Sequence, residues 1–273
     1  MDRIPFPLSA PFRSLREALA SVLFPAPCRI CGRMLDTGTR IPFCSACVAD
    51  LEKALPEPLC GQCGRPVVAT GEGEEGAARL CHMCRRGAYD FDLARSYGAY
   101  TSRLARAVLM LKYNDVTPLG SWFAGLLARL VDRQPDLHEA DVLVPVPLDA
   151  KRQRERGYNQ AELIARPLSR LIGVPFRSYL LVRTHPRPYK LRLTRLERWE
   201  TVRGAYATHQ RAQVDKLRVL LVDDVFTTGA TLDACSRALK GAGAALVVGL
   251  TVARVLPQFP DPEAAAQQLD PGK

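Results

Sequence analysis

No apolar run in this sequence reaches the roughly 18 residues a helix needs to cross a bilayer, so no membrane span is expected. No secretory leader is expected either. Arg3, Arg13 and Arg16 are present near the start, but Glu17 and several prolines break any apolar core, and a cytoplasmic location is expected. Aromatic residues make up only 7%, and none alternates with the basic residues as a stacking platform for single-stranded nucleic acid requires. A disulfide framework is not the pattern either, because eight of the nine cysteines fall in four C-x-x-C pairs. No helix pair of a DNA-binding type stands out, nor any His or Glu placed as a general base. Apart from the cysteine pairs there is no long internal repeat.

What is present begins with charge. The net charge is +10 and the pI about 9.3, which favours anionic partners: phosphorylated small molecules, nucleic acid or an acidic membrane surface. Basic residues concentrate within 151–211. An apolar share of 47% is ordinary for a folded chain.

Composition divides the chain. Residues 1–27 are Pro-rich around one amphipathic pattern, with Leu15, Leu19, Val22 and Leu23 at helical spacing. Residues 28–88 are the cysteine-rich part. Residues 89–256 alternate helical and strand patterns, and residues 257–273 are polar, Pro-bearing and expected to be disordered. In the third part, "DVLVPVPL", "LRVLLVDD" and "ALVVGLTVARV" read as buried strands. "TSRLARAVLMLKY" reads as a helix with Leu104, Val108 and Leu111 inward, and "SWFAGLLARLVDR" as one with Phe123, Leu127 and Leu130 inward. "QAELIARPLSRLI" is helical, with Pro167 expected to kink or split it. "LDACSRALKGAG" is a helix ended by Gly241 or Gly243, with Cys235 on its core face. Near-continuous apolar strands separated by helices indicate an α/β fold: a mostly parallel sheet with helices on both faces.

The cysteine pairs are Cys28/Cys31, Cys44/Cys47, Cys60/Cys63 and Cys81/Cys84. Two intervening residues let both sulfurs of a pair face one metal, and two such knuckles make a tetrahedral four-sulfur site that suits Zn²⁺. Four pairs make two structural zinc sites, paired in sequence or interleaved. The glycines in "CRICG" and "CGQCG" stand where a knuckle turns sharply.

The stretch "VLLVDDVFTTGAT" ends a strand on Asp223 and Asp224 and goes straight into a helix. Ligands of parallel sheets bind at the carboxyl ends of strands. Free amides and the positive end of the helix dipole make an anion site over Thr227, Thr228, Gly229, Ala230 and Thr231. Carboxylates do not favour phosphate, so their target is the hydroxyls of the sugar that carries it. The ligand implied is a ribose 5-phosphate moiety. A second arm, "VPVPLDAKRQRERGYNQAEL", ends another strand in a loop bearing Lys151, Arg152, Arg154 and Arg156. Gly157 allows a turn, and Asn159 with Glu162 suggests a helix cap. These cations suit either a pyrophosphate or nucleic acid.

"VLLVDDVFTTGAT" resembles the PRPP-binding motif of type I phosphoribosyltransferases. The resemblance implies that Asp223 and Asp224 contact the ribose hydroxyls and that residues 227–231 hold the 5-phosphate. Lys151, Arg152, Arg156 and Gly157 would then serve the pyrophosphate, with Mg²⁺ accompanying PRPP. "VPVPL…KRQRERGYNQAELIAR", "LKY" at residues 111–113, "RGAY" at residues 203–206 and the four upstream cysteine pairs together resemble the ComF family. That family joins a zinc module to a type I phosphoribosyltransferase-like domain and is associated with natural competence. In the segment corresponding to the mobile catalytic loop of such transferases, Lys190 stands where Gln is usual and Thr201 where Asn is usual, while Arg198 is kept. The functions implied are a phosphoribosyltransferase releasing pyrophosphate, with no catalytic residue assigned, or a non-catalytic DNA-uptake factor that senses PRPP. Single-stranded DNA and DNA-uptake proteins are the macromolecular partners implied.

Overall fold

The structure, a computed structural model, describes residues 26–35, 41–67, 79–134, 137–185, 194–210 and 212–256. The N-terminal amphipathic pattern, the polar tail and Lys190 lie outside these. By compactness the chain divides into residues 1–52 and residues 53–273.

In the first unit, Cys44 precedes helix α1 (Ser45–Leu51), and Phe43 and Leu51 are buried. The Cys28 knuckle closes through Gly32 N–H donating to Cys28 O at 2.8 Å, and Gly32 adopts a positive φ of 75°.

The second unit carries a four-stranded sheet of β1 (Leu93–Ala99), β2 (Val142–Pro145), β5 (Arg218–Phe226) and β6 (Leu246–Arg254). The strand order is β1-β6-β5-β2 and every pairing is parallel. Helices α2 (His82–Arg85), α3 (Ser102–Tyr113), α4 (Pro118–Asp132), α5 (Ala150–Arg156), α6 (Gln160–Ile172), α7 (Arg195–Glu200) and α8 (Ala230–Gly241) complete it, with an antiparallel hairpin of β3 (Leu181–Arg183) and β4 (Tyr206–Thr208). The three expected strands and the four long expected helices are all present. Helix α4 packs on α6, and the two lie against the sheet strands. Val142, Val144, Val219 and Leu221 share a core with Leu232, Cys235 and Leu239 of α8. The alternate positions Leu143, Leu220 and Val222 are fully buried and point the other way, as the period of two requires, so both faces are covered.

Four local readings are revised. Helix α6 runs unbroken through Pro167. The strand bearing the acids continues two residues past them, because β6 runs alongside and pairs with Val225 and Phe226. The expected basic loop is helix α5, started by Asp149, whose carboxylate accepts from the amides of Lys151 and Arg152. Asn159 caps α6 as expected, but Glu162 pairs with Arg166, not with the cap amide.

Pro167 has no N–H to give to the carbonyl of Leu163 four residues back. That carbonyl faces α4 at Gly120, where an added Cβ would lie 2.7 Å from it. A missing donor on one helix and a missing side chain on the other let the two backbones approach closely.

Candidate functional site

Strand β2 stops at Pro145, which pairs with Val222, while β5 continues through Asp223 and Asp224. The acids thus stand where one neighbouring strand has ended, the place where parallel sheets open a crevice. Both are buried, at 9% and 4% exposure, so the strand end is not an open one. Burial, reinforced by the charge of Asp224, pushes the Asp223 carboxyl well above the usual carboxylate range, and Lys112 acts in the opposite direction. Asp223 Oδ1 accepts from the Asp224 amide at 2.8 Å.

Lys112, from the C-terminal turn of α3, places Nζ 2.6 Å from Asp224 Oδ2. That oxygen is buried and no hydrogen bond is aligned on it, so the contact is an ion pair lying off the lone-pair directions. Lys112 sits within the "LKY" string but was not among the expected site residues. In a helix pattern it reads as a solvated charge.

The same turn of α3 meets the second arm. Tyr158 donates to Leu111 O at 2.5 Å, and the Arg156 guanidinium lies 5.0 Å from the Tyr113 ring centre. Arg156 also donates to Gln160 Oε1, and Gly157 holds a φ of 79° between α5 and α6. Asn159 donates to Val146 O at 3.0 Å, fixing the start of α6 to the end of β2. Arg156 and Gly157 are therefore tied to the segment that carries Lys112. Lys151 is 62% exposed and 3.8 Å from Glu155, while Arg152 is half-buried.

Residues 227–231 form the turn from β5 into α8. Gly229 caps that helix with a φ of 86°, and a Cβ there would meet Tyr89 at 2.6 Å and Phe226 at 2.7 Å. Only glycine satisfies both conditions. Thr228 Oγ1 accepts from the Ala230 amide at 3.3 Å, and Tyr89 donates its hydroxyl to Thr228 O at 3.0 Å. Thr227, Thr228 and Thr231 stay partly exposed around the turn. Cys235 is fully buried, and burial pushes its thiol up, as befits a core residue.

The eight paired cysteines gather into two clusters in sequential order: Cys28, Cys31, Cys44 and Cys47, then Cys60, Cys63, Cys81 and Cys84. Within each, the ligand atoms lie within 4.8 Å of one another, and the Cys31–Cys44 and Cys63–Cys81 sulfurs are 3.6 Å apart. Sulfurs bound tetrahedrally to zinc at about 2.3 Å stand about 3.8 Å apart, so both clusters fit the ion. In the second cluster a hydrogen bond from Cys63 pulls the Cys60 thiol down to about 4 against the upward push of burial. Sulfurs that share protons in this way are poised for a cation that replaces them.

The second cluster adjoins the sheet. Gln62 O accepts from Ala94 N–H at 2.7 Å on the outer edge of β1. Arg95 gives Nη1 to Ala94 O at 2.9 Å and Nη2 to Gly61 O at 3.1 Å. Arg254, at the end of β6, is 1% exposed and donates to Cys63 O at 2.6 Å. Neither Arg95 nor Arg254 was among the expected residues.

Residues 19–85 match the model of a double zinc ribbon domain. The chain is similar to competence protein F of Haemophilus influenzae, 28% identical over 209 residues covering 74% of this chain and 85% of that one. It is 27% identical over 235 residues to the DNA utilization protein YhgH of Salmonella typhimurium, covering 85% and 98%. It is 29% identical over 216 residues to competence protein ComFC of Bacillus subtilis, covering 77% and 83%. Among solved structures, a purine phosphoribosyltransferase from Pyrococcus horikoshii is 17% identical with a TM-score of 0.32, covering 51% of this chain and 92% of that one. At that score the fold rests on the strand order above. Among the described residues no helix is long and apolar enough to cross a membrane.

Proposed function

The chain is a homologue of the ComF-type competence proteins, and from that premise we propose that it binds PRPP with Mg²⁺ at the end of β5 and transfers the phosphoribosyl group with release of pyrophosphate. One observation carries this reading. Two buried carboxylates, one held by Lys112, adjoin a glycine-capped helix start whose preceding threonines remain accessible. Asp223 and Asp224 would accept from the ribose hydroxyls, and the Asp224 oxygen without an aligned donor supports that role. Residues 227–231 would receive the 5-phosphate. Arg156 and Gly157, with Lys151 and Arg152 at the rim, would face the pyrophosphate.

Displacement at the sugar passes through a positively charged, oxocarbenium-like carbon, which asks for placement and electrostatic support more than for a strong base. Mg²⁺ supplies charge neutralisation for the pyrophosphate oxygens. The acid pair fixes the sugar ring, and Lys112 holds Asp224 in place. The names of the relatives extend the proposal to competence and the handling of DNA, with single-stranded DNA and DNA-uptake proteins as partners. If the DNA reading instead stands without turnover, PRPP binds and no pyrophosphate appears.

The test is calorimetry of the full chain with PRPP and Mg²⁺, followed by a pyrophosphate-release screen over nucleobase acceptors. Binding is expected in the parent and not in the Asp223→Ala/Asp224→Ala double variant. Equal affinity in both would reject the site. Arg156→Ala is expected to weaken PRPP strongly while leaving single-stranded DNA binding in place across a salt series. The opposite result would make α5 a nucleic-acid patch.

A further inference from the structure

Arg254 is a nearly fully buried guanidinium with no carboxylate partner among the described residues. Its neighbours are the carbonyl of Cys63 at 2.6 Å, the sulfur of Cys63 at 3.4 Å and the face of Phe226, 3.8 Å from ring centre to Cζ. Its Nε has no hydrogen-bond partner. A buried cation is costly unless an anion lies close by. Four thiolates around a divalent zinc carry a net charge of −2, and Cys63 is one of the four. Loaded with its metal, the second cluster is the counter-charge that Arg254 otherwise lacks.

Phe226, whose ring Arg254 covers, also touches the turn at 227–231. Phe226 leads into it, and its ring closes on Gly229. Tyr89 follows the last knuckle by five residues, stacks on Phe91 at 4.7 Å and on Trp199 at 5.9 Å, and meets Phe226 edge-on at 6.1 Å. Its hydroxyl donates to Thr228 O. Cys60, Cys63, Cys81, Cys84, Tyr89, Phe91, Phe226 and Ala230 belong to one packed core.

We propose that the metal-loaded second cluster sets the geometry of the 227–231 turn through two positioning residues, Arg254 by way of Phe226 and Tyr89 by way of its hydroxyl, so that anion binding there depends on this zinc and not on the first. This rests on the reading of the turn as the phosphate site, and the test separates the two.

The full-length zinc-loaded protein and its Arg254→Gln, Tyr89→Phe and Cys31→Ser variants are compared by zinc release to a chelator, amide hydrogen exchange over residues 227–231, and PRPP calorimetry. Arg254→Gln is expected to weaken the binding of one zinc about 10- to 100-fold, the range for groups that support metal ligands, so that the chelator removes it more readily. Its turn exchanges faster and PRPP binds more weakly. Tyr89→Phe keeps both metals, exchanges faster at the turn and loses about 2- to 12-fold in PRPP affinity, the equivalent of one net hydrogen bond. Cys31→Ser, which loses the first metal, leaves turn exchange and PRPP affinity at parent values. If Arg254→Gln releases its zinc while the turn exchanges as in the parent, the coupling is overturned. Should that variant fail to fold, unchanged exchange and affinity in Tyr89→Phe overturn it equally. A parent protein that does not bind PRPP rejects the ligand reading, and exchange measured against zinc content still decides the coupling.

Discussion

Asp223 shows what the candidate site costs the fold. Its pKa is raised in the folded state, so the folded chain holds this proton more tightly than the unfolded chain does. Stability is fully present below the unfolded value near 3.8 and is lost as pH rises through the higher folded value. Replacing Asp223 by Asn removes that loss while keeping an oxygen for the Asp224 amide. The expected result is a higher melting temperature at pH 7, a flatter melting profile between pH 4 and 8, and no PRPP binding. Lys112→Met does the reverse. It strips the counter-charge from a buried acid and is expected to lower stability by about 3 kcal/mol, at the low end for a broken buried pair, as read by urea denaturation. Gly229→Ala places a side chain at positive φ against two aromatic rings, a strain of about 1–3 kcal/mol, and calorimetry is expected to find anion binding lost with it. The acids and the glycine were legible because strand, acids and turn are contiguous in sequence. Lys112, Tyr89 and Arg254 were not, because each gains its meaning from a partner far along the chain, 191 residues away for Arg254 and Cys63.

Among the elements, legibility follows apolar content. Strands β2, β5 and β6 are near-continuous apolar runs and were expected. Strand β1, "LARSYGA", carries Arg95 and Ser96, whose reasons are distant: Ser96 bonds Thr251 of β6 at 2.7 Å, and Arg95 braces the knuckle. Helix α5 buries nothing, so no periodicity marks it, and only Asp149 before it hints at a cap. The hairpin of β3 and β4 is short and pairs only through tertiary context. The unbroken α6 shows why a proline rule gave the wrong expectation there. The carbonyl released by Pro167 is the one that approaches Gly120. Gly120→Ala is expected to destabilise by about 1–3 kcal/mol through overpacking against Leu163, measured as a fall in the denaturant midpoint with an unchanged slope.

At the scale of the molecule, the two cysteine clusters differ in what their loss would do. The first belongs to residues 1–52, and the second lies in the core of residues 53–273. Zinc contributes about 10–16 kcal/mol to small domains built around it. Cys31→Ser is expected to make residues 28–51 protease-sensitive while the sheet melts as in the parent. Cys63→Ser is expected to lower the melting temperature of the sheet itself. The strand order carries one more consequence. β6 comes last in sequence among the described strands and lies between β1 and β5, so neither neighbour has its inner partner until nearly the whole of that unit is available. Closing such long chain segments is slow. During refolding, the pair β2–β5 can form early, whereas β1 and the second cysteine site wait for β6. Excess zinc added at that stage would meet free thiols before Arg254 has arrived, and wrongly shared cysteines would be the characteristic trap. Recovery of native protein is therefore expected to be better when the metal is supplied after the sheet has closed than when it is present from the start.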